Sequence, residues 1–177
     1  MHIFLYGAKT QYRRVQLSSN VRPHKRSPYR VSAGAFIEHN GKLLLVRHTK
    51  PDAYDFWVAP GGGVKGTETY EEAAQREVME ETGLSVDVGQ LLYIEDLVNP
   101  HCRYVKFWFQ ARYLSGDIDV SHPEARLEHV VQAGWYALHD LPREEVFPSV
   151  LRGRYAQDRE AGFPGIVRLP LRQMSVW

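Results

Sequence analysis

The sequence has a single cysteine and no long apolar run, and each of these absences excludes a class of protein. Cys102 stands alone, so no internal disulfide can form and a reducing, cytoplasmic compartment is expected. We expect Cys102 to be a small packed side chain rather than a nucleophile. No apolar stretch approaches the roughly 18 residues of a membrane-spanning helix, and the first residues lack the pattern of a secretory signal. No membrane partner is therefore predicted.

An excess of charge of one sign is also missing. The 22 Lys and Arg residues nearly balance the 21 Asp and Glu residues, which leaves a formal net charge of +1. This balance makes a nucleic-acid partner unlikely on bulk charge. A basic stretch lies within residues 1–30, but few aromatic residues interrupt it. We predict an irregular N-terminal arm over residues 1–30 and one domain over residues 31–177, with a homodimer left open.

Apolar runs and turn residues predict a sheet with few helices. Asn40-Gly41 separates two strand-like runs at 31–38 and 42–48, which is a strong hairpin signal. The other expected elements are a strand at 2–6, a loop at 51–55, strands at 84–96, 104–114 and 130–138, a polar loop at 115–129, and a helix within 143–161 interrupted near Pro148. Residues 164–177 carry no assignment. Strands and helices in this order favour an α/β fold whose mixed sheet is covered on both faces.

The strongest helix signal lies between Thr69 and Gly83. Thr69 followed by Glu72 forms a capping-box pattern, and Gly83 is suited to end the helix. At about 100° per residue, three carboxylates share one helical face: Glu77, Glu80 and Glu81. Such acids repel one another unless water or a cation neutralises them, and Mg²⁺ prefers oxygen ligands of this kind.

The full spacing of this segment resembles the signature of the Nudix hydrolases at every specified position. The segment is GGVKGTETYEEAAQREVMEETGL, from Gly62 to Leu84. The resemblance implies a Nudix-type α/β/α sandwich with a mixed β-sheet. It also implies a hydrolase that cleaves a small nucleoside diphosphate derivative by water attack at phosphorus, with Mg²⁺, or Mn²⁺ in its place, as cofactor.

The resemblance also implies roles for individual residues. It implies Glu77, Glu80 and Glu81 as catalytic metal ligands, Arg76 orienting Glu77, Gly61 or Gly62 as a main-chain contributor, and Gly62, Glu68 and Gly83 as support for the loop and helix. The general base stays open between Glu128, which we favour, Glu124 and a helix glutamate. Each of the two loop acids is as readily an ordinary solvated side chain.

Candidate substrate contacts are fewer. Pro100 lies 16 residues beyond Leu84, a position that the family associates with ADP-ribose-type substrates. Trp57 and Arg47 are further candidates, and the aromatic run at 104–113 can either pack in the core or stack on a base.

Two other functions stay open. Some Nudix-fold domains are non-catalytic modules that sense a nucleotide, but these often lose metal-binding glutamates, and this chain keeps all of them. Among enzymes, an oxidised-dNTP or RNA 5′-end pyrophosphohydrolase is the alternative to a nucleotide-sugar hydrolase. Metal-dependent release of phosphate or a monophosphate distinguishes the enzyme from the module.

Overall fold

The computed structural model of the protein describes residues 28–174. The strand predicted at 2–6 and nearly all of the predicted N-terminal arm lie outside these residues. The strands are β1 (Tyr29–His39), β2 (Lys42–Lys50), β3 (Tyr54–Val58), β4 (Gly61–Gly63), β5 (Ser85–Val98), β6 (Arg103–Ser115), β7 (Val130–Tyr136), β8 (Glu145–Phe147), β9 (Val167–Arg168) and β10 (Arg172–Gln173). The helices are α1 (Tyr70–Thr82), α2 (Pro123–Leu127), a 3₁₀ helix (Ser149–Arg152) and α3 (Tyr155–Glu160).

The strands form one mixed sheet in the order β10-β5-β6-β1-β2-β3-β8. Strand β1 pairs in parallel with β6 and antiparallel with β2 and β4, while β7 pairs with β2 and β9 with β5. The predicted hairpin is confirmed, since Asn40 and Gly41 both have positive φ angles, of 51° and 75°. That conformation is the one a two-residue hairpin turn requires.

Side-chain alternation along β1 separates the two faces of the sheet. Its odd-numbered residues pack against α1: Ala33 with Ala73 and Ala74, and Ala35 and Ile37 with Val78. The even-numbered Phe36 faces α3, with its ring 5.0 Å from that of Tyr155. Helices therefore cover both faces of the sheet, and the α/β/α prediction is confirmed.

Three regions differ from the sequence-based expectations. Strand β1 begins at Tyr29, inside the stretch predicted as an arm, and the predicted polar loop at 115–129 contains α2. The helix predicted within 143–161 is wrong over its first half, which forms β8 and the 3₁₀ helix, and only α3 is helical as expected. A three-residue strand such as β8 exists because it pairs with β3, and a local pattern does not reveal that partner.

The tail contributes two further short strands. β9 and β10 both pair with β5 in parallel, which places residues 167–173 at one edge of the sheet. Cys102 is buried, as expected for a packed side chain. Within residues 28–174, the helices are all too short or too polar to cross a bilayer.

Candidate active site

Helix α1 is held in place at both ends by the predicted caps. The Thr69 side chain accepts a hydrogen bond from the Glu72 amide at 3.2 Å, and the Glu72 carboxylate accepts one from the Thr69 amide at 2.7 Å. Gly83 adopts a left-handed conformation, with φ of 72°, and its amide donates to the Met79 carbonyl at 2.9 Å. These bonds satisfy backbone groups that a helix end otherwise leaves unpaired.

Arg76 connects the helix to the segment before it. Its guanidinium donates two hydrogen bonds to Glu68, at 2.8 and 3.0 Å, and one to the Gly63 carbonyl at 2.9 Å. It also donates to Glu77 at 2.7 Å and to Glu80 at 2.9 Å. The hydrogen bonds from Arg76 hold the pKa of Glu68 at about 2, so this carboxylate stays charged. Arg76 therefore connects Glu68, the glycine segment and the acids of α1.

Glu77 is buried directly against the glycine segment. It is 1% exposed, and a Cβ added at Gly62 would lie 2.6 Å from its carboxyl atoms. Only a glycine at this position lets the carboxylate approach the backbone so closely. Burial raises the pKa of Glu77 to about 7, against the opposing effect of the Arg76 hydrogen bond.

One atom of that carboxylate has no protein partner. Oε1 of Glu77 accepts from Arg76, whereas Oε2 is buried and makes no hydrogen bond within the described part of the chain. A buried polar atom left in this state costs free energy unless something else satisfies it.

Glu81 lies one turn further along the helix and is equally buried. Its Oε2 accepts a hydrogen bond from the Gly61 amide at 2.8 Å, and its Oε1 lies 3.3 Å from Nε2 of His48. Nδ1 of His48 in turn lies 2.9 Å from the Glu128 carbonyl oxygen. The sequence does not indicate His48 as a site residue, because nothing local connects β2 to the helix or to the loop after α2.

Lys106 is a second residue that sequence analysis missed. Its Nζ donates a hydrogen bond to the Gly61 carbonyl at 3.0 Å and lies 4.2 Å from the centre of the Trp108 ring. Desolvation lowers the pKa of Lys106, although the surrounding glutamates oppose the shift. The carbonyl predicted as a metal ligand thus already has one donor, while a carbonyl oxygen has two lone pairs to offer.

A cavity of about 560 Å³ opens beside the glycine segment. Glycines 61–63 and Lys106 line it, together with Glu128 and His48. Aromatic side chains form much of the remaining wall: Tyr54, Phe56, Tyr104, Trp108 and Phe147. The volume and lining suit a nucleotide-sized ligand with an anionic part near the glycines.

The two candidate loop acids, Glu128 and Glu124, differ in whether they reach the cavity. Glu128 lines the cavity, and desolvation together with the nearby charge of Glu81 raises the pKa of its carboxyl. Glu124 does not line the cavity and instead lies 2.8 Å from Nδ1 of His122. The geometry therefore favours Glu128 as the base candidate, as the sequence-based preference did.

The three candidate substrate contacts lie elsewhere. Arg47 and Trp57 alternate with the cavity-lining His48 and Phe56, so they occupy the opposite face of the sheet. There, Arg47 forms two hydrogen bonds with Asp55, at 2.8 and 2.7 Å. Pro100 lies in the loop between β5 and β6 and does not line the cavity. None of the three lines the cavity.

The acids of α1 meet some of the requirements of a divalent cation site. Glu77 and Glu81 present buried carboxylates on the same face, and Glu77 Oε2 offers an unpaired ligand atom. Glu80 contacts Arg76 at 2.9 Å, through the same nitrogen that donates to Glu77, and Lys65 at 3.2 Å. Within residues 28–174, no three His, Cys, Asp or Glu side chains converge as they stand on one metal position. Glu77 and Glu80 share one Arg76 nitrogen, so the three acids lie on one side of α1, as predicted, but Glu80 would have to leave Lys65 and Arg76 to bind a metal together with Glu77 and Glu81.

Comparisons with known proteins show which family has a similar sequence and fold. The family model of the NUDIX domain matches residues 28–154. The human 8-oxo-dGDP phosphatase NUDT18 is 37% identical over 122 residues, which are 69% of this chain and 36% of that protein. The NAD-capped RNA hydrolase NudC of Shigella flexneri is 35% identical over 106 residues, which are 60% of this chain and 38% of that protein.

Solved structures share the fold. A NUDIX hydrolase from Nitrosomonas europaea superposes with a TM-score of 0.67 at 23% identity, covering 85% of this chain and 81% of that one. This likeness shows the α/β/α architecture. The chain spans about a third of the length of the curated relatives that it matches.

Proposed function

This chain belongs to the NUDIX family, and from that premise we propose that it is a metal-dependent hydrolase of a nucleoside diphosphate linked to another moiety. The observation that carries the proposal is the Glu77 carboxylate, which is buried, presses against Gly62 and leaves Oε2 without a partner. An ion pair with Arg76 alone would leave Oε2 buried and unsatisfied, which is unfavourable. A divalent cation beside it removes the penalty.

Glu77 and Glu81 are the residues that would hold the metal. A divalent ion, which we take to be Mg²⁺ with Mn²⁺ as substitute, supplies charge neutralisation and a more acidic water when bound. Divalent metal is a general requirement of Nudix hydrolases. Arg76 fixes the orientation of Glu77 through a hydrogen bond of 2.7 Å, and Gly61 fixes Glu81 through one of 2.8 Å.

The other candidate site residues lie at the cavity, where the substrate would bind. Lys106 places a cation at the Gly61 carbonyl, where it can neutralise a pyrophosphate oxygen that enters the cavity. Glu128 reaches the same cavity and is the candidate general base for the attacking water. The contact between His48 and the Glu128 carbonyl holds the loop that carries this base next to Glu81.

The proposed substrate is a nucleotide derivative, and several classes of compound are candidates for it. A nucleotide sugar such as ADP-ribose was suggested by Pro100 alone, and that residue lies away from the cavity. The relatives named for 8-oxo-dGDP and NAD-capped RNA keep an oxidised nucleotide and an RNA 5′ end as alternatives. All these compounds share a pyrophosphate and a base, which suit the glycine segment with Lys106 and the aromatic wall of the cavity.

A non-catalytic nucleotide-sensing module is the other functional class. It requires binding without turnover, and no feature of the described site favours it over hydrolysis.

The decisive experiment measures hydrolysis of a nucleotide panel with Mg²⁺, with Mn²⁺ and with a chelator. The panel contains ADP-ribose, other nucleotide sugars, oxidised dNTPs, dinucleoside polyphosphates and a capped RNA. We expect turnover that the chelator abolishes and that Glu81→Gln reduces by about 100-fold or more. Glu71→Gln is the matched control, because Glu71 lies exposed on the same helix.

The fold of the active-site variants should survive. Glu77→Gln and Glu81→Gln each remove a buried charge from a repulsive pair, so we expect melting temperatures equal to or slightly above that of the parent protein. Tight binding of a panel member without any turnover would contradict the hydrolase function and support a nucleotide-sensing module. Turnover that Glu81→Gln leaves intact would overturn the proposed metal site.

A further inference from the structure

The C-terminal segment supplies part of the cavity wall from outside the matched family domain. The family model ends at residue 154, whereas Arg172 and Met174 line the cavity from β10 and the residue after it. Their position depends on the parallel pairing of β10 with β5, in which Arg172 lies opposite Leu97. This part of the wall therefore lies outside the residues that the family model matches.

Glu95 is the second polar group at this end of the cavity. It lies on β5, is 3% exposed, and lines the cavity. Its Oε2 accepts a hydrogen bond from the Trp108 indole at 3.0 Å, which fixes the plane of the carboxylate. Its Oε1 lies 3.5 Å from an Arg172 nitrogen, which is longer than an ordinary hydrogen bond between charged groups.

The Arg172 guanidinium lies over an aromatic ring as well as near Glu95. Its central carbon lies 4.5 Å from the centre of the Phe147 ring. Its Nε is buried and makes no hydrogen bond to any of the residues that the structure describes. A planar fork with unused donors, fixed on an aromatic ring and facing a cavity, is suited to a ligand with paired acceptors.

A purely structural ion pair between β5 and the tail is the simpler interpretation. It accounts for the proximity of Glu95 and Arg172 but leaves two observations unexplained. The single contact of 3.5 Å is poor for two side chains that can pair in a fork, and the buried Nε remains unsatisfied. Both are expected if each group keeps bonding capacity for a third partner.

We propose that Glu95 and Arg172 together select a guanine base, so that the preferred substrates are guanosine diphosphate derivatives. This inference rests on the proposed hydrolase function and names its nucleoside. An arginine fork pairs well with the O6 and N7 acceptors of guanine, and a carboxylate accepts from the adjacent N1 and N2 donors. The aromatic wall then provides the surface on which the base stacks.

Adenine matches the same pair less well. Its edge presents an acceptor, a donor and a second acceptor, so neither the fork nor the carboxylate can make two bonds at once. The N1 acceptor of adenine would also face the carboxylate. Guanine is therefore favoured by the number of hydrogen bonds, independently of the stacking energy, which every base provides.

The test compares equilibrium binding of GMP and AMP with hydrolysis of GDP-glucose and ADP-glucose. We expect the parent protein to prefer the guanine compounds by about 10-fold or more in both measurements. Arg172→Gln should abolish that preference, mainly because it weakens the binding of GMP. Arg172→Lys should also reduce it, because an ammonium group keeps the charge without the planar fork.

Arg168→Gln is the matched control. Arg168 lies on the same C-terminal segment, forms a surface ion pair with Asp96 at 3.6 Å, and does not line the cavity. This variant should keep the full guanine preference. Circular dichroism of all three variants establishes that each has the native fold.

Equal binding of GMP and AMP by the parent protein would overturn the inference, as would an Arg172→Gln variant that keeps the preference. Failure of the two proposals can be told apart. If the protein binds guanine compounds selectively but hydrolyses none of them, the proposed hydrolase function is wrong and the base selection stands. If it hydrolyses the compounds without preferring a base, the base selection is wrong and the hydrolase function stands.

Discussion

At the scale of single residues, the site depends on how closely a side chain approaches the backbone. Glu77 reaches its buried position only because Gly62 has no Cβ, and Arg76 keeps it there. Gly62 and Glu77 thus form the two halves of one contact. Their separation of 15 positions along the chain hides this dependence from any local pattern.

Gly62→Ala tests the contact directly. The added methyl group would lie 2.6 Å from the Glu77 carboxyl atoms, so the carboxylate must move. Because misplacement of a catalytic group by about 1 Å can cost about 100-fold in rate, we expect a loss of that order in kcat with the fold retained. Gly63→Ala is the control, since a Cβ there meets nothing within 4 Å. Equal effects of the two substitutions would contradict the explanation.

The Glu68–Arg76 pair predicts a pH-dependent stability. The pKa of Glu68 is about 2 in the folded protein, against a reference value of 4.5. A lowered folded pKa stabilises the protein above the reference value, and this contribution disappears as the pH falls from about 4.5 toward 2. Glu68→Gln should therefore cost about 1 to 2 kcal/mol at pH 7 and almost nothing near pH 2.

Urea unfolding of the parent and Glu68→Gln proteins at several pH values measures this difference. Glu71→Gln controls for the change in net charge at an exposed position. A cost of Glu68→Gln that stays constant between pH 7 and pH 2 would show that the pair does not act through its charge.

At the scale of elements, α1 was predictable because its signals are local. The capping box, the absence of proline and the terminal Gly83 all lie within the helix or next to it. The opposite holds for β8, β9 and β10, which are two or three residues long and exist through pairing with β3 or β5. Helix hydrogen bonds close within one turn, whereas strand hydrogen bonds need a distant partner.

Thr69→Ala tests the contribution of the cap. It removes the side-chain acceptor of the Glu72 amide and half of the capping box. We expect a loss of about 1 kcal/mol in the free energy of unfolding, measured by chemical denaturation. Thr67→Ala, at an exposed position before the helix, should have a much smaller effect. Activity of Thr69→Ala should fall less than that of Gly62→Ala, because the carboxylates stay buried.

At the scale of the whole molecule, the tail completes both the sheet and the cavity. The Leu169 amide donates to the Ile94 carbonyl and the Met174 amide to the Val98 carbonyl, each at 2.9 Å. Val167 and Leu169 pack against the main core cluster. Residues 167–174 therefore pair with β5, and Val167 and Leu169 pack on the core of the matched domain.

Ending the chain after Gly165 tests this pairing. The truncation removes β9 and β10 and exposes the edge of β5, so we expect a lower melting temperature and a greater tendency to aggregate. Removal of residues 175–177 alone is the control. A truncated protein with unchanged melting temperature would show that the tail adds no stability to the sheet.

The sequence by itself determined the helix, its caps, the order of the acids on it, the hairpin at Asn40-Gly41 and the family. Each of these rests on residues close together in the chain, whose spacing sets which side chains share a face. It also placed Glu128 near the site, through the resemblance.

Only the tertiary structure decided which groups meet in the cavity. It brought His48, Lys106, Glu95 and Arg172 to the glycine segment or to the aromatic wall, and it left Arg47, Trp57 and Pro100 outside. The physical reason is that strand pairing joins residues far apart in sequence and sends alternate side chains to opposite faces. A one-residue difference in register, which no composition reveals, separates a cavity residue from one on the other side of the sheet.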